Sequence, residues 1–217
     1  GCAAHFIAKG AEPAVAAGAH ILHAHTGCPA QALTLCRIKS FAKRILVPLG
    51  IQLPQALVFP LGQLNRPLGS LRFPVIVKPL SEEGSEGITP KSFCTNEEQV
   101  LRQVRFLHEK HECDAYVEEY IEGREIYASV LGNNRLSVLP LREMVFKKVP
   151  EDQPRFATFQ AKWDDAFRKE NGIKNVFPTD LDDSLVREIE QVSRQAYRTL
   201  GLRGCGRLDM RVTAKHE

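Results

Sequence analysis

The chain has 217 residues, 43% hydrophobic and 25% charged, with a formal net charge of +3. That is globular composition, too weakly basic to argue for a nucleic-acid partner, and no window approaches the roughly 18 to 20 unbroken apolar residues that cross a bilayer. The length suits one or two domains with a real core.

The start, GCAAHFIAKGAEPAVAAGAH, is alanine-rich but carries His, Lys and Glu, and lacks the basic-then-apolar order of a signal peptide. It begins without methionine, consistent with a start further upstream. His20, His23 and His25 in HILHAHTGC read either as one side of a short metal-binding element or as a polar surface turn. No carboxylate or well-spaced cysteine completes that set. The six cysteines, Cys2, Cys28, Cys36, Cys94, Cys113 and Cys205, form no C-x-x-C pair and no zinc spacing, so they read as reduced thiols in the cytoplasm.

PAQALTLCRIKSFAKRILVPLG has apolar residues at near-helical spacing, with Pro48 and Gly50 as a stop. IQLPQALVF reads as a strand, LGQLNRPLGSLR as a loop, and FPVIVKP as a short buried strand. TNEEQVLRQVRFLHEKH is a helix capped by Thr95 or Asn96, with acids in its first turn. AYVEEYI is a strand, and REIYASVLGNNRLSVLPLREMVF is two strands around Gly132-Asn133-Asn134. The stretch from EDQPRF to NVFPTD has no clear period and is long for a structureless loop. LDDSLVREIEQVSRQAYRTLG is an amphipathic helix ending on Gly201. CGRLDMRVT is a strand with Arg207, Asp209 and Arg211 on one face and Leu208, Met210 and Val212 on the other. Strands joined by hairpins and mixed with helices predict an α+β fold.

Five places carry candidate chemistry. Lys78 ends an apolar strand, so it either snorkels to water or faces an anion. Gly84, Ser85 and Gly87 follow it in a loop whose N–H groups are able to hold phosphate oxygens, or which is an ordinary surface turn. Glu118 and Glu119 are adjacent on a strand and point to opposite faces, one toward a buried polar ligand and the other to solvent. Glu125 follows a turn at Gly123, either holding a pair of sugar hydroxyls or lying on a charged hairpin edge. Asp209 is a mid-strand carboxylate, explained by a magnesium ion or by a paired arginine.

Taken in order, the lysine-bearing helix, the strand ending V-K-P, the Gly/Ser loop, V-E-E-Y-I, G-R-E, K-W-D-D-A-F and G-R-L-D-M-R resemble the ATP-grasp superfamily. Within it, residues 30 to 213 look like the D-alanine–D-alanine ligases. The resemblance implies an ATP-grasp fold of two α+β subdomains sandwiching the nucleotide. It divides the chain into a remnant of an N-terminal domain (1–30), a central subdomain (31–121) and a larger C-terminal subdomain (122–217). The implied activity is an ATP-dependent joining of two amino acids, D-alanine with D-alanine, through an acyl phosphate, for cell-wall peptidoglycan. Another carboxylate–amine ligase, or an inactive ATP-binding fragment, is the alternative. The implied cofactors are ATP and Mg2+ (or Mn2+). The implied partners are small amino-acid substrates, with no nucleic acid or membrane, and a homodimer of the full-length protein in the cytoplasm.

The resemblance places roles residue by residue. Lys39 matches a nucleotide-contacting lysine, although Ile38 stands where the family has an acid. Lys78 matches the lysine on the ATP phosphates, and Glu82 to Gly87 match the loop covering them, with Gly84-Ser85 in place of a Ser-Ser pair. Glu118, Glu119, Tyr120 and Ile121 match the hinge that reads adenine, and Glu125 the ribose-binding acid. Lys162 matches the lysine of the loop closing over the γ-phosphate, and Trp163 stands where some members have tyrosine. Arg207 matches the arginine that steadies the transferring phosphate, and Asp209 the first magnesium ligand. No E-x-N motif follows Asp209 before the chain ends at RVTAKHE, and Glu217 arrives too early to supply it. The resemblance thus implies the middle of a ligase, cut at both ends.

Overall fold

The computed structural model describes residues 2–8, 15–21, 29–82, 84–150 and 153–213. In chain order the elements are β1 (Cys2–Ala8), β2 (Val15–Ile21), α1 (Ala30–Arg37), α2 (Lys39–Leu46), β3 (Ile51–Gln52), β4 (Ala56–Phe59), β5 (Val75–Pro79) and β6 (Phe93–Cys94). There follow α3 (Glu97–His111), β7 (Ala115–Glu119), β8 (Arg124–Gly132), β9 (Leu136–Val138), β10 (Arg142–Phe146), α4 (Phe159–Trp163) and α5 (Asp165–Glu170). The last are β11 (Ile173–Val176), α6 (Asp183–Thr199) and β12 (Cys205–Val212).

The strands form two antiparallel sheets. The smaller has the order β4-β7-β5-β6, and the larger β11-β10-β8-β12-β2-β1-β3, with β9 added to β8. This is the α+β architecture predicted from strand and helix order. The smaller core gathers Phe59, Val75, Val77, Val100, Val104, Leu107, Ala115 and Val117, so α3 covers that sheet. Its predicted cap is present: Asn96 Oδ1 accepts from the Gln99 N–H at 3.0 Å.

The larger core packs Ile126, Ala128 and Val130 of β8 and Leu208, Met210 and Val212 of β12 against Leu185, Ile189, Val192 and Ala196 of α6. Ala32, Cys36, Ala42 and Leu46 join the same core, so α1 and α2 pack with the larger sheet. The chain crosses to the smaller sheet between β3, which pairs with β1, and β4, which pairs with β7.

Three expectations need correction. The single helix expected over 29–50 is two, broken at Ile38, whose backbone is extended (φ −92°, ψ 99°). The Ile38 N–H closes α1 on the Thr34 carbonyl, and its own carbonyl accepts from Phe41 and Ala42 to open α2. The second strand expected after Asn134 is also two, β9 and β10, on either side of Pro140, which has no N–H to give a ladder. The segment after residue 150, which showed no period, contains α4, α5 and β11, of five, six and four residues. Elements that short cannot display a period; their signals are the caps, Thr158 on the Ala161 N–H and Asp164 on the Phe167 N–H.

Candidate active site

Strand alternation builds the site. In β5, Val75 and Val77 face the smaller core, which sends Ile76 and Lys78 the other way. In β12, Leu208, Met210 and Val212 enter the larger core, leaving Arg207, Asp209 and Arg211 on the opposite face, as alternation predicts. Register does the rest: Asp209 lies opposite Tyr127 and Arg211 opposite Glu125. Between the two sheets these faces enclose a cleft lined by Ile76, Lys78, Ile88, Glu118 to Ile121, Glu125, Phe156, Ala157 and Asp209 to Arg211.

Lys78 is 1% exposed, so it does not snorkel. Its Nζ donates to Glu118 Oε2 at 2.5 Å. Lys43, one turn beyond Lys39 on α2, brings a second ammonium to 3.7 Å from Glu118 Oε1. Burial holds the Lys43 ammonium below the usual lysine range, against the pull of Glu118. Both lysines also lie near the Tyr116 ring, at 6.0 and 5.6 Å from its centroid.

The expectation that one acid of the Glu118–Glu119 pair is solvated needs correction. Glu119 does turn away from Glu118, but its side chain is only 3% exposed. It accepts from the Arg72 N–H at 2.9 Å and from Arg72 Nη2 at 2.9 Å, which ties the preceding loop to β7. Beyond it, Tyr120 packs edge-on against Phe93, with ring centroids 5.2 Å apart, and against Phe156 at 6.4 Å. Glu125 is not on an edge, since β8 lies between β10 and β12. Its two oxygens accept from the Tyr127 hydroxyl at 2.8 Å and Arg211 Nη2 at 3.0 Å.

Asp209 is 2% exposed. Arg207 grips it with Nε on Oδ1 at 2.8 Å and Nη2 on Oδ2 at 3.1 Å, while its guanidinium lies 4.6 Å from the Tyr127 ring centroid. Lys162, reaching in from α4, comes to 3.6 Å from Oδ2. Burial pushes the Asp209 carboxyl above the usual carboxylate range, against the pull of Arg207 and Lys162. Burial likewise raises the Tyr127 hydroxyl well above the ordinary tyrosine range. Each Asp209 oxygen keeps a lone pair beyond its bond to Arg207. Among the described residues no three His, Cys, Asp or Glu side chains gather to cage a metal ion. Asp209 as a carboxylate ligand suits Mg2+, which commonly takes one or two carboxylates and completes its shell with phosphate oxygens and water.

The Gly/Ser loop meets the α4 region across the cleft. Ser85 Oγ donates to the Ala157 carbonyl at 2.8 Å, Trp163 Nε1 to the Gly84 carbonyl at 2.8 Å, and the Phe159 N–H to the Ile88 carbonyl at 3.1 Å. Lys39 stands behind this loop rather than on the cleft lining. Its ammonium donates to the carbonyls of Leu80 and Glu82, at 3.1 and 2.9 Å.

The structure therefore brings Lys78, Glu118, Glu119, Tyr120, Ile121, Glu125 and Asp209 to one cleft. Lys162 and Arg207 join it through Asp209. Sequence reasoning missed Lys43, Phe156, Tyr127 and the part played by Arg211. The alternation of GRLDMRV already put Arg211 on the face of Asp209, and Lys43 follows Lys39 at helical spacing. Of the three candidate histidines, His23 and His25 lie outside the described residues and His20 is described by its backbone alone; Glu217 also lies outside them.

The two sheets and the cleft of charged side chains between them form an ATP-grasp fold. The VanG D-Ala:D-Ser ligase of Enterococcus faecalis is similar, with a TM-score of 0.68 at 23% identity, covering 88% of this chain and 52% of that one. So is the D-alanine–D-alanine ligase of Bacillus anthracis complexed with ATP, with a TM-score of 0.65 at 20% identity over 88% of this chain and 55% of that one.

The family model for the D-ala D-ala ligase C-terminus matches residues 63–217, and the chain belongs to that family. D-alanine–D-alanine ligase A of Salmonella typhimurium is 31% identical over 189 residues, 84% of this chain and 48% of that protein. The ligase of Carboxydothermus hydrogenoformans is 28% identical over 198 residues, 88% of this chain and 59% of that protein. The chain thus spans about half the length of the curated relatives it matches.

Proposed function

We propose that this chain carries the ATP-binding and phosphoryl-transfer machinery of a ligase that joins D-alanine to D-alanine. The observation that carries the reading is the convergence of Lys78, Lys162, Arg207 and Asp209 on one cleft between two sheets. Phosphoryl transfer asks the protein for positioning and charge neutralisation more than for covalent chemistry. Lys78, with its Nζ fixed by Glu118, would meet the phosphates from the smaller sheet. Lys162 and Arg207 would meet them from the larger one. Glu118 to Ile121 would read the base and Glu125 the ribose. Lys39 would act through the loop it braces, and Gly84 and Ser85 would cover the phosphates. Asp209 would hold Mg2+ (or Mn2+), whose charge offsets that of the phosphates.

In the proposed reaction the γ-phosphate passes to the carboxylate of the first D-alanine, giving an acyl phosphate and ADP. The amine of the second D-alanine then attacks the acyl carbon, and phosphate leaves as the amide forms. The Gly/Ser loop and α4, joined through Trp163 and Ser85, would keep water from the acyl phosphate. The proposal extends to peptidoglycan synthesis, to a homodimer of the full-length protein and to a cytoplasmic site. No helix among the described residues is long and apolar enough to cross a membrane.

The test is ADP release from ATP and Mg2+ by this chain and by the longer protein, across pairs of D- and L-amino acids. Release with D-alanine, lost in Arg207→Ala and Lys162→Ala, is expected. ATP binding with no release for any pair would make the chain a nucleotide-binding unit. A different preferred pair would keep the ligase and change its substrate.

A further inference from the structure

Arg211 is 5% exposed, and its guanidinium meets groups from three other parts of the chain. Nη1 donates to the Gly123 carbonyl at 2.9 Å, in the connector between the two sheets. Nη2 donates to Glu125 Oε2 at 3.0 Å, on β8, and to the Arg155 carbonyl at 2.8 Å, in the segment leading to α4. The Tyr120 ring centroid lies 5.4 Å from its Cζ, and the Tyr120 hydroxyl donates to the same Arg155 carbonyl at 3.2 Å. A guanidinium is a rigid planar fork, so bonds to three partners fix those partners relative to one another. A carboxylate such as Glu125, 7% exposed, has few alternatives once that fork is in place.

We propose that Arg211 is a positioning residue: it aims the Glu125 carboxylate into the cleft and holds residues 153–158 over it. With Tyr127 on Oε1 and Arg211 on Oε2, the plane of the carboxylate is set, and each oxygen of this cleft-lining residue keeps further acceptor capacity. The inference rests on the nucleotide reading of the cleft. Two adjacent ribose hydroxyls need a carboxylate in one orientation, and Tyr127 alone holds one Glu125 oxygen and leaves the carboxylate plane free to turn. The register that sets Arg211 opposite Glu125 makes the pair a built feature of the sheet.

The experiment compares the affinities of this chain for ATP and for 2′,3′-dideoxy-ATP, which lacks both hydroxyls. The native chain is expected to prefer ATP by about tenfold or more, the scale of a hydrogen bond to a charged group. Arg211→Met is expected to bring the ratio close to one. Arg211→Lys, whose one ammonium cannot span all three partners, is expected to give an intermediate ratio, and it decides the matter if the methionine variant does not fold. Hydrogen exchange of residues 153–158 in the nucleotide-free chain is expected to quicken in both variants. A native ratio in either folded variant, or unchanged exchange, overturns the assignment to Arg211. A native chain that binds no ATP at all overturns the nucleotide reading, and the assignment with it.

Discussion

Lys78 Nζ donates to Glu118 Oε2 at 2.5 Å across neighbouring strands, with side-chain exposures of 2% and 1%. Lys43 lies 3.7 Å from the other oxygen of the same carboxylate. Two ammonium groups thus flank one buried carboxylate, and withdrawal from water strengthens the pull of such cations on an anion.

Lys78→Met removes one of the two ammonium groups on Glu118 in a dry site. Breaking a buried pair is expected to lower unfolding free energy by about 3 to 5 kcal/mol, less whatever Lys43 recovers. The triple variant Lys43→Met/Lys78→Met/Glu118→Leu removes the carboxylate with both of its ammonium groups and is expected to regain much of that loss, while still binding ATP poorly. Urea denaturation checks it. A triple variant no more stable than the single one would show that the charge balance of the cluster is not what matters.

Trp163 is the chain's sole tryptophan, and its indole rests on the Gly84 loop. Its emission is therefore expected to change when ATP and Mg2+ fill the cleft. Trp163→Phe removes the bond to the Gly84 carbonyl, a loss of about 1 kcal/mol or less at so exposed a position. Proteolysis between residues 147 and 165 should quicken accordingly. Emission that ignores saturating ATP would separate this contact from nucleotide binding.

Gly123 has φ +152°, and a Cβ built there would sit 2.1 Å from the Val212 carbonyl oxygen. The connector between the sheets runs directly against β12 at this point. Gly123→Ala must displace backbone rather than a side chain, and is expected to cost roughly 2 to 4 kcal/mol. A denaturation midpoint unchanged from the native chain would contradict this close approach.

Cys94 is fully buried, and burial raises its thiol from 9.0 to about 11. The unfolded thiol ionises first as pH rises, so the folded state holds more protons between those values. Stability is therefore expected to fall from about pH 9 to pH 11, and to be unaffected by this group below pH 9. The difference between the native chain and Cys94→Ala in pH-dependent denaturation isolates it from the tyrosines. A flat difference curve would rule the effect out.

Much of this was legible residue by residue. V-I-V-K-P gave a strand with a lysine on its end because two core valines fix the faces of β5. G-R-L-D-M-R gave Arg207, Asp209 and Arg211 a common face by the same alternation. The Asn96 cap and the glycine at 201 marked the ends of α3 and α6. Local signals failed where an element was too short to repeat, as with α4 and β11. They failed again at Ile38, where an unbroken apolar period conceals an extended residue.

The sequence by itself determined which side of each strand is polar, because a period of two leaves the chain no choice once the apolar face is buried. It could not decide that Glu119 would be buried on Arg72, that Lys39 would brace a loop, that Lys43 would reach Glu118, or that Arg211 would enter the cleft. Those outcomes depend on how two sheets are set against each other and on which residues their registers make neighbours. Partners such as Arg211 and Arg155 are brought together only when the chain has closed on itself.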